Sequence, residues 1–260
     1  MGETALSLGK SGFPHDRNLM PGTKIVNAIV LRSVAYRDFD RMLTLFSREE
    51  GAIAACARGA HKPNSPLAGA ATQFCTGEYV LEERNGRYNV KSCMLDGAFY
   101  PLREEPRALS YAAALTQVCE EIVQVGDPNE ELYDMLLRAL TYLSFDREHD
   151  ATSIVFPFFM RAMVLSGHGV MLTRCAACGG RIVDARFDDQ AGGVVCARHQ
   201  SRSLPVITGE DMKQMQDAVK GEYHPSEGDV KRLCRILGIF VRTQLERDFT
   251  ALTFAESMEG

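Results

Sequence analysis

Apolar residues follow two different periods along this chain. Between residues 24 and 95 they fall in five short runs, 24–34, 41–47, 52–58, 77–84 and 88–95, rich in β-branched and aromatic types and bounded by turn-forming residues. Runs of this length and composition predict strands. The alanine-rich stretch 65–74, between the third and fourth, predicts one or two turns of helix. After Pro101 the spacing changes to three and four residues. Ala108, Tyr111, Leu115, Val118, Ile122 and Val125 form one stripe of a predicted helix that Gly126, Asp127 and Pro128 terminate. Leu132, Leu136, Ala139 and Leu143 form a second stripe, Phe156, Met160, Met163 and Val164 a third, and Val230, Leu233, Leu237 and Phe240 a last one. Each such side chain contributes roughly 1.5–3 kcal/mol when buried. Four such faces make a bundle without metal supplying all the stability.

Strands followed by helices give an α+β fold class. Five strands with a short helix after the third are the outline of an OB-fold, a small barrel that commonly binds oligonucleotides. The predicted organisation is a flexible extension (1–21), a barrel (22–100) and a helical region (101–260) with an insertion at 172–203. Residues 1–21 are rich in Gly, Ser and Pro, with Met20 a candidate alternative start. Gly9, Lys10 and Ser11 suggest a phosphate loop, but that pattern needs glycine at position 4, which is threonine. The most apolar stretch, 151–172, is broken by Pro157, Arg161 and a polar run at 166–169. It falls short of the ~20 apolar residues a bilayer span needs and reads as a core helix. The N-terminus lacks the apolar stretch of a secretory leader, so the expected location is the cytoplasm.

Charge changes the picture by segment. The net charge of -5 gives no overall reason for nucleic-acid binding. Residues 97–150 hold eleven acids against four bases, whereas 22–96 hold eight acids against ten bases. From Gly51 to Gly77 there is no acid, while Arg58 and Lys62 are basic and Pro63 and several glycines shape a loop where amides and cations can meet phosphates. The stretch 151–183 is also acid-free and largely core, so this feature fits either a binding surface or ordinary packing.

Candidate chemistry is concentrated in the cysteines. Cys175, Cys178, Cys196 and His199 form C-x2-C-x17-C-x2-H, the spacing of a closed, structural zinc site. Gly179 and Gly180 allow a tight knuckle in which both leading thiolates face one ion. A redox C-x2-C does not explain the second pair. A three-cysteine site with His199 facing solvent stays open as an alternative. Cys56, Cys75, Cys93, Cys119 and Cys234 sit singly in apolar surroundings and read as small buried hydrophobes in a reducing compartment. A catalytic zinc needs an open position and usually a nearby carboxylate base, but no glutamate occurs between Glu148 and Glu210. H-x-E and H-E-x-x-H elements, a nucleophile elbow and G-x-G-x-x-G are also absent, so the chain is not expected to be an enzyme.

Three motifs, in order and spacing, resemble the bacterial RecO recombination-mediator family: YRDFDRMLTLFSREEG (36–51), ARGAHKPNSPLAGAATQF (57–74), and FFMRAMVLSGHG (158–169) followed shortly by CAACGG (175–180). The resemblance covers about 24–245. It implies an OB-fold followed by a helical domain carrying a zinc module. It also implies binding to single- and double-stranded DNA, annealing without ATP, and work with RecR to load RecA onto DNA coated by single-stranded DNA-binding protein. No membrane is involved, and the implied location is nucleoid-associated. By motif position Arg58, His61 and Lys62 become DNA-binding candidates, with Arg37 and Arg41 beside them. Tyr36, Phe39, Phe46, Phe74 and Tyr79 are the aromatic residues available for stacking. Arg161 and Arg138 are candidates for the acidic tail of single-stranded DNA-binding protein. Some relatives carry an arginine pair where this chain has Phe156 and Pro157. The competing readings are a zinc-stabilised adaptor that contacts only proteins and a zinc enzyme.

Overall fold

The computed structural model describes residues 22–258. The predicted extension at 1–21 and its candidate start lie outside them. Five strands come first: β1 (Thr23–Tyr36), β2 (Asp40–Ser47), β3 (Gly51–Ala57), β4 (Thr76–Arg84) and β5 (Arg87–Gly97). They close into a barrel in the order β1-β2-β3-β5-β4, the only parallel contact being β3 to β5 through Ala55–Tyr88 and Cys56–Asn89. Strand β1 closes the circle because it is long enough to pair with β4 along its first half and with β2 along its second, with a register shift between Val30 and Arg32.

Alternation along β1 gives it two buried faces. Val26, Ala28 and Val30 point inward with Leu43, Leu45, Ile53, Tyr79 and Leu81. Ile29 and Leu31 point outward, where with Phe46 and Phe74 they join the core of the helical region. The connection 58–75 is a succession of turns, not the predicted helix. Pro63, Pro66 and Gly69 interrupt it, and its backbone bonds are mostly of the three-residue kind, such as Ser65 to Lys62 and Thr72 to Gly69. Its Ala60, Leu67, Ala70 and Ala71 are buried with the barrel interior, where the Tyr79 hydroxyl donates to the Ala70 carbonyl at 2.7 Å.

The helical region comprises α1 (Pro106–Ile122), α2 (Glu130–Phe145), α3 (Ala151–Leu165), α4 (Gly209–Ala218), α5 (Lys231–Leu245) and α6 (Thr250–Ser257). The stripes on α1, α2, α3 and α5 are buried except at three positions, of which Ile122, the last residue of α1, is half-buried. Val125 is 85% exposed because α1 ends at Ile122 and the chain turns toward the barrel, and Val164 is 51% exposed in the last turn of α3. Helices α4 and α6 were not anticipated: α4 is mostly polar and α6 has only eight residues. No helix among the described residues is long and apolar enough to cross a membrane. Cys75, Cys119 and Cys234 are buried as expected, but Cys56 and Cys93 are only half-buried, on barrel strands. Burial pushes the Cys93 thiol up to about 12, so it stays protonated at neutral pH.

Between α3 and α4 lies a small module with a hairpin, β6 (Arg186–Asp188) and β7 (Gly193–Val195). Phe187 meets Phe240 of α5 edge-on at 5.7 Å, and Asp189 accepts a hydrogen bond from the Thr243 hydroxyl at 2.6 Å. These contacts fix the module to α5.

Candidate functional site

The sequence brings Cys175, Cys178, Cys196 and His199 together, their ligand atoms all within 4.8 Å of one another. Gly179, at φ 69°, donates its N–H to the Cys175 carbonyl at 2.7 Å, and the Cys175 N–H donates to Gly180 at 2.9 Å. This knuckle turns Cys178 back toward Cys175. The second pair follows β7, where the His199 N–H donates to the Cys196 carbonyl at 2.9 Å. His199 Nδ1 lies 3.8 Å from Cys175 Sγ and 3.4 Å from Cys196 Sγ. Those separations bracket the edge of about 3.5 Å expected for a tetrahedral ion bonded at ~2.3 Å to sulfur and ~2.0 Å to nitrogen. His199 is exposed, yet its ring is turned into the cluster, which favours the four-ligand set over three cysteines alone.

The local backbone already favours negative charge on sulfur. The N–H of Cys196 points at Cys175 Sγ from 3.3 Å and, with the amides of Cys178 and Ala177, holds that thiol below its ordinary range. The Arg198 N–H does the same for Cys196. At Cys178 the Gly180 N–H pulls in the same direction, but the neighbouring sulfurs of Cys175 and Cys196 outweigh it and the thiol is raised. Three sulfurs that resist ionising together, next to an imidazole nitrogen, form a site that can hold a metal cation.

A second constellation lies where the β1–β2 turn meets the chain leaving β3. Asp40 Oδ1 accepts the Gly59 N–H at 2.8 Å, and the Phe39 carbonyl accepts the His61 N–H at 2.9 Å. Gly59 adopts φ 65° there, with the Lys62 side chain laid across it. The two bonds bring Arg37, Arg58, His61 and Lys62 to one end of the barrel, all four exposed. Arg37, Arg58 and Lys62 form no ion pair among the described residues. Most other barrel cations contrast with them: Lys24 pairs with Glu50, Arg32 with Glu120, Arg48 with Asp134, and Arg84 and Lys91 with Glu82, whereas Arg87, at the start of β5, is exposed and also forms no ion pair among the described residues. Arg41 also differs. Its guanidinium is half-buried and donates to the Ser33 hydroxyl at 2.6 Å and the Ser33 carbonyl at 3.0 Å, bracing β1 against β2.

The aromatic candidates separate cleanly. Phe46, Phe74 and Tyr79 are buried, whereas Phe39 is 48% exposed with Lys62 Nζ 5.7 Å from its ring centre. Tyr36 is half-buried and lies under Arg37 at 5.1 Å. Sequence reasoning missed Asp40, whose bond to Gly59 joins the two loops. Its only signal was an acid at a strand start, facing a glycine after another strand.

Comparison with known proteins fixes the relationship. A family profile described as Recombination protein O N terminal matches residues 20–99, and one described as Recombination protein O C terminal matches 103–253, more than half the chain. The chain belongs to the RecO family. Among its relatives, the DNA repair protein RecO of Alkaliphilus metalliredigens is 30% identical over 247 residues, covering 88% of this chain and 97% of the relative. That of Acetivibrio thermocellus is 24% identical, covering 90% and 96%, and that of Myxococcus xanthus 27% identical, covering 88% and 95%.

In this RecO-family chain Arg161 and Arg138 both reach toward residues 219–222 beyond α4. Arg161 donates to the carbonyls of Gly221 at 2.6 Å and Val219 at 3.4 Å and pairs with Glu131, leaving its side chain 13% exposed. Arg138 pairs with Glu222 at 3.0 Å on the surface. Arg161 thus ties α3 to the end of α4, and neither guanidinium is without an acidic partner.

Proposed function

We propose that this chain is a non-enzymatic mediator of DNA repair and recombination that binds and anneals single-stranded DNA. With RecR, it helps load RecA onto DNA coated by single-stranded DNA-binding protein. The observation that carries the reading is the group of exposed cations without acidic partners, Arg37, Arg58 and Lys62, gathered with His61 at one end of the barrel. Cations already paired with carboxylates give little to a polyanion, whereas free ones displace the counterions condensed on its phosphates. The neighbouring Phe39 offers a ring face for a base. With its charge lowered, a bound strand repels its complement less, and pairing proceeds without ATP.

The Cys175, Cys178, Cys196 and His199 cluster binds one structural zinc ion in this reading. Four protein donors leave no open position for a substrate, and an ion there locks the knuckle to β7. Arg161 serves packing here, and Arg138 is the more accessible of the two candidates for an acidic partner tail. The chain acts in the cytoplasm, at the nucleoid.

The test is annealing of complementary oligonucleotides by the full chain, with and without single-stranded DNA-binding protein, together with the salt dependence of binding. Replacing Arg58 and Lys62 by glutamate should weaken binding at least tenfold and leave the melting temperature within about 2 °C, because both side chains lie outside the core. An unchanged affinity removes this loop from the site. No salt-dependent binding by the unaltered protein leaves a protein-only adaptor.

A further inference from the structure

The metal module carries a second set of cations that the reading above does not use. Every basic residue from 172 to 203 is an arginine: Arg174, Arg181, Arg186, Arg198 and Arg202. Arg186 is the internal one, donating to the carbonyls of Arg202 and Leu204. The other four are exposed and form no ion pair among the described residues. Three of them gather on the knuckle. Arg174 and Arg181 flank Cys175 and Gly180, which are joined by the bond from the Cys175 N–H to the Gly180 carbonyl. The Arg198 guanidinium lies over Gly180 and beside Cys196.

Two of the module's three acids are engaged away from these arginines. Asp188 accepts the N–H groups of Gln190 and Ala191 within the β6–β7 turn, and Asp189 holds the Thr243 hydroxyl of α5. Asp184 stands on the wall of an open groove between the module and α4 that Arg181 also lines, and the two form no ion pair among the described residues. The knuckle thus carries three exposed arginines outside any ion pair, in a module tied to α5. Guanidinium groups bind phosphate oxygens bidentately, and a set spread along two arms suits an extended chain of phosphates better than one compact anion.

Resting on the nucleic-acid reading of the barrel, we propose that Arg174, Arg181 and Arg198 form a second phosphate-backbone contact, so that one chain engages two segments of nucleic acid. The two surfaces stand on different supports. The barrel rests on α1 and α2 through Arg32–Glu120 and Arg48–Asp134, and the knuckle rests on α5. Holding one segment at each surface raises the local concentration of one strand near the other, which is what an annealing protein requires.

The test uses the metal-loaded full chain, a short and a long single-stranded oligonucleotide of mixed sequence, and an acidic peptide as competitor. Replacing Arg174, Arg181 and Arg198 by glutamine should lower the slope of log affinity against log salt on the long oligonucleotide by about 2, since each single-strand phosphate contact contributes roughly 0.7. It should also slow annealing while leaving one metal ion per chain. Should that variant lose its metal, R174Q/R181Q, which keeps Arg198, decides with an expected change of about 1.4. An unchanged slope, in a protein whose binding still falls when Arg58 and Lys62 are replaced, overturns the knuckle contact and leaves the barrel reading intact. Loss of acidic-peptide binding with oligonucleotide binding unaffected assigns the arginines to a protein partner and also overturns it. If the unaltered chain binds no oligonucleotide, the barrel reading fails and takes this proposal with it.

Discussion

Serine at position 175 would keep the size of the side chain and lose the thiolate, at a place where the Cys196 N–H already points at sulfur from 3.3 Å. Cys175 is buried, and Val195 and Leu204 pack around it. Cys175→Ser should therefore reduce metal content from one ion per chain to none and open residues 172–203 to protease; a metal-free variant with native protease resistance would refute the site. Asp150 carries a different kind of dependence. Its carboxylate accepts from the Thr152 N–H at 3.0 Å and takes the Arg107 guanidinium on both oxygens at 2.9 Å. Burial pushes its pKa up, but the Thr152 hydroxyl, Arg107 and the Thr152 amide outweigh burial, and the group ends below its ordinary value. A carboxylate depressed in the folded state stabilises above its unfolded pKa of about 3.9 and loses that contribution as pH falls through the folded value. Asp150→Asn keeps the cap but removes the charge, so its deficit in urea midpoint should be full at pH 7 and shrink below about pH 4. A deficit unchanged down to pH 3 would show that charge is not the cause. At this scale the sequence is informative where spacing encodes chemistry, as in C-x2-C-x17-C-x2-H. It is silent on which cation has a partner: Arg41 and Arg58 read alike, yet Ser33 on the paired strand engages one and nothing acidic engages the other.

Among the elements, all five strands were legible to within two residues, because runs rich in β-branched and aromatic residues are punctuated by turn residues, although buried and less buried positions alternate clearly only along β3. The 58–75 connection was not. Its alanines imitate a helix, but their burial comes from plugging the barrel, and the prolines prevent continuous helical bonding. The end of α1 was also misjudged, for a reason that only tertiary structure supplies: residues 124–127 leave the helix to bridge β3. The Ala52 N–H donates to the Gln124 carbonyl at 2.9 Å, and the Gly126 N–H to Glu50 at 3.0 Å. Gly51 makes this junction possible. It adopts φ 72°, and a Cβ there would overlap the carbonyl oxygens of Gln124 and Asp127. The left-handed conformation alone costs a non-glycine residue about 1–3 kcal/mol, before either carbonyl is displaced. Gly51→Ala should thus lower stability by about 3 kcal/mol or more in urea unfolding, while Gly86→Ala, in an open turn at φ 71°, should cost only the conformational part. Equal losses at the two positions would remove the junction as the reason.

Over the whole molecule, the acid excess of residues 97–150 finds its use at the contact between barrel and helices. Glu120 meets Arg32, while Glu130 and Asp134 meet Arg48. These acids neutralise barrel cations on the helical side, while Arg37, Arg58 and Lys62 stay without ion pairs near the β1–β2 tip, where Asp40 is engaged by the Gly59 N–H and Asp38 is exposed, so a net charge of -5 is compatible with the proposed surface for phosphates. The same contact makes barrel and helices one packed body. Ile29, Leu31, Phe46 and Phe74 lie in the helical core, with Phe46 edge-on to Tyr133 of α2 at 5.5 Å. The sequence concealed this because a strand buried on both faces reads simply as an apolar run. Phe46→Ala removes the largest of these contacts and should lower stability by about 3–5 kcal/mol. For a chain of this size that is roughly a 10 °C fall in melting temperature. Hydrogen exchange should show β2 and α2 losing protection together in the variant, since Phe46 and Tyr133 pack against each other across the contact. At temperatures where the variant remains folded, oligonucleotide affinity should be unchanged, because Phe46 is buried while Arg58 and Lys62 are exposed. Protection lost in the barrel alone, with α1 to α3 still closed, would mean that the two parts are separately stable and that their shared core does not couple them.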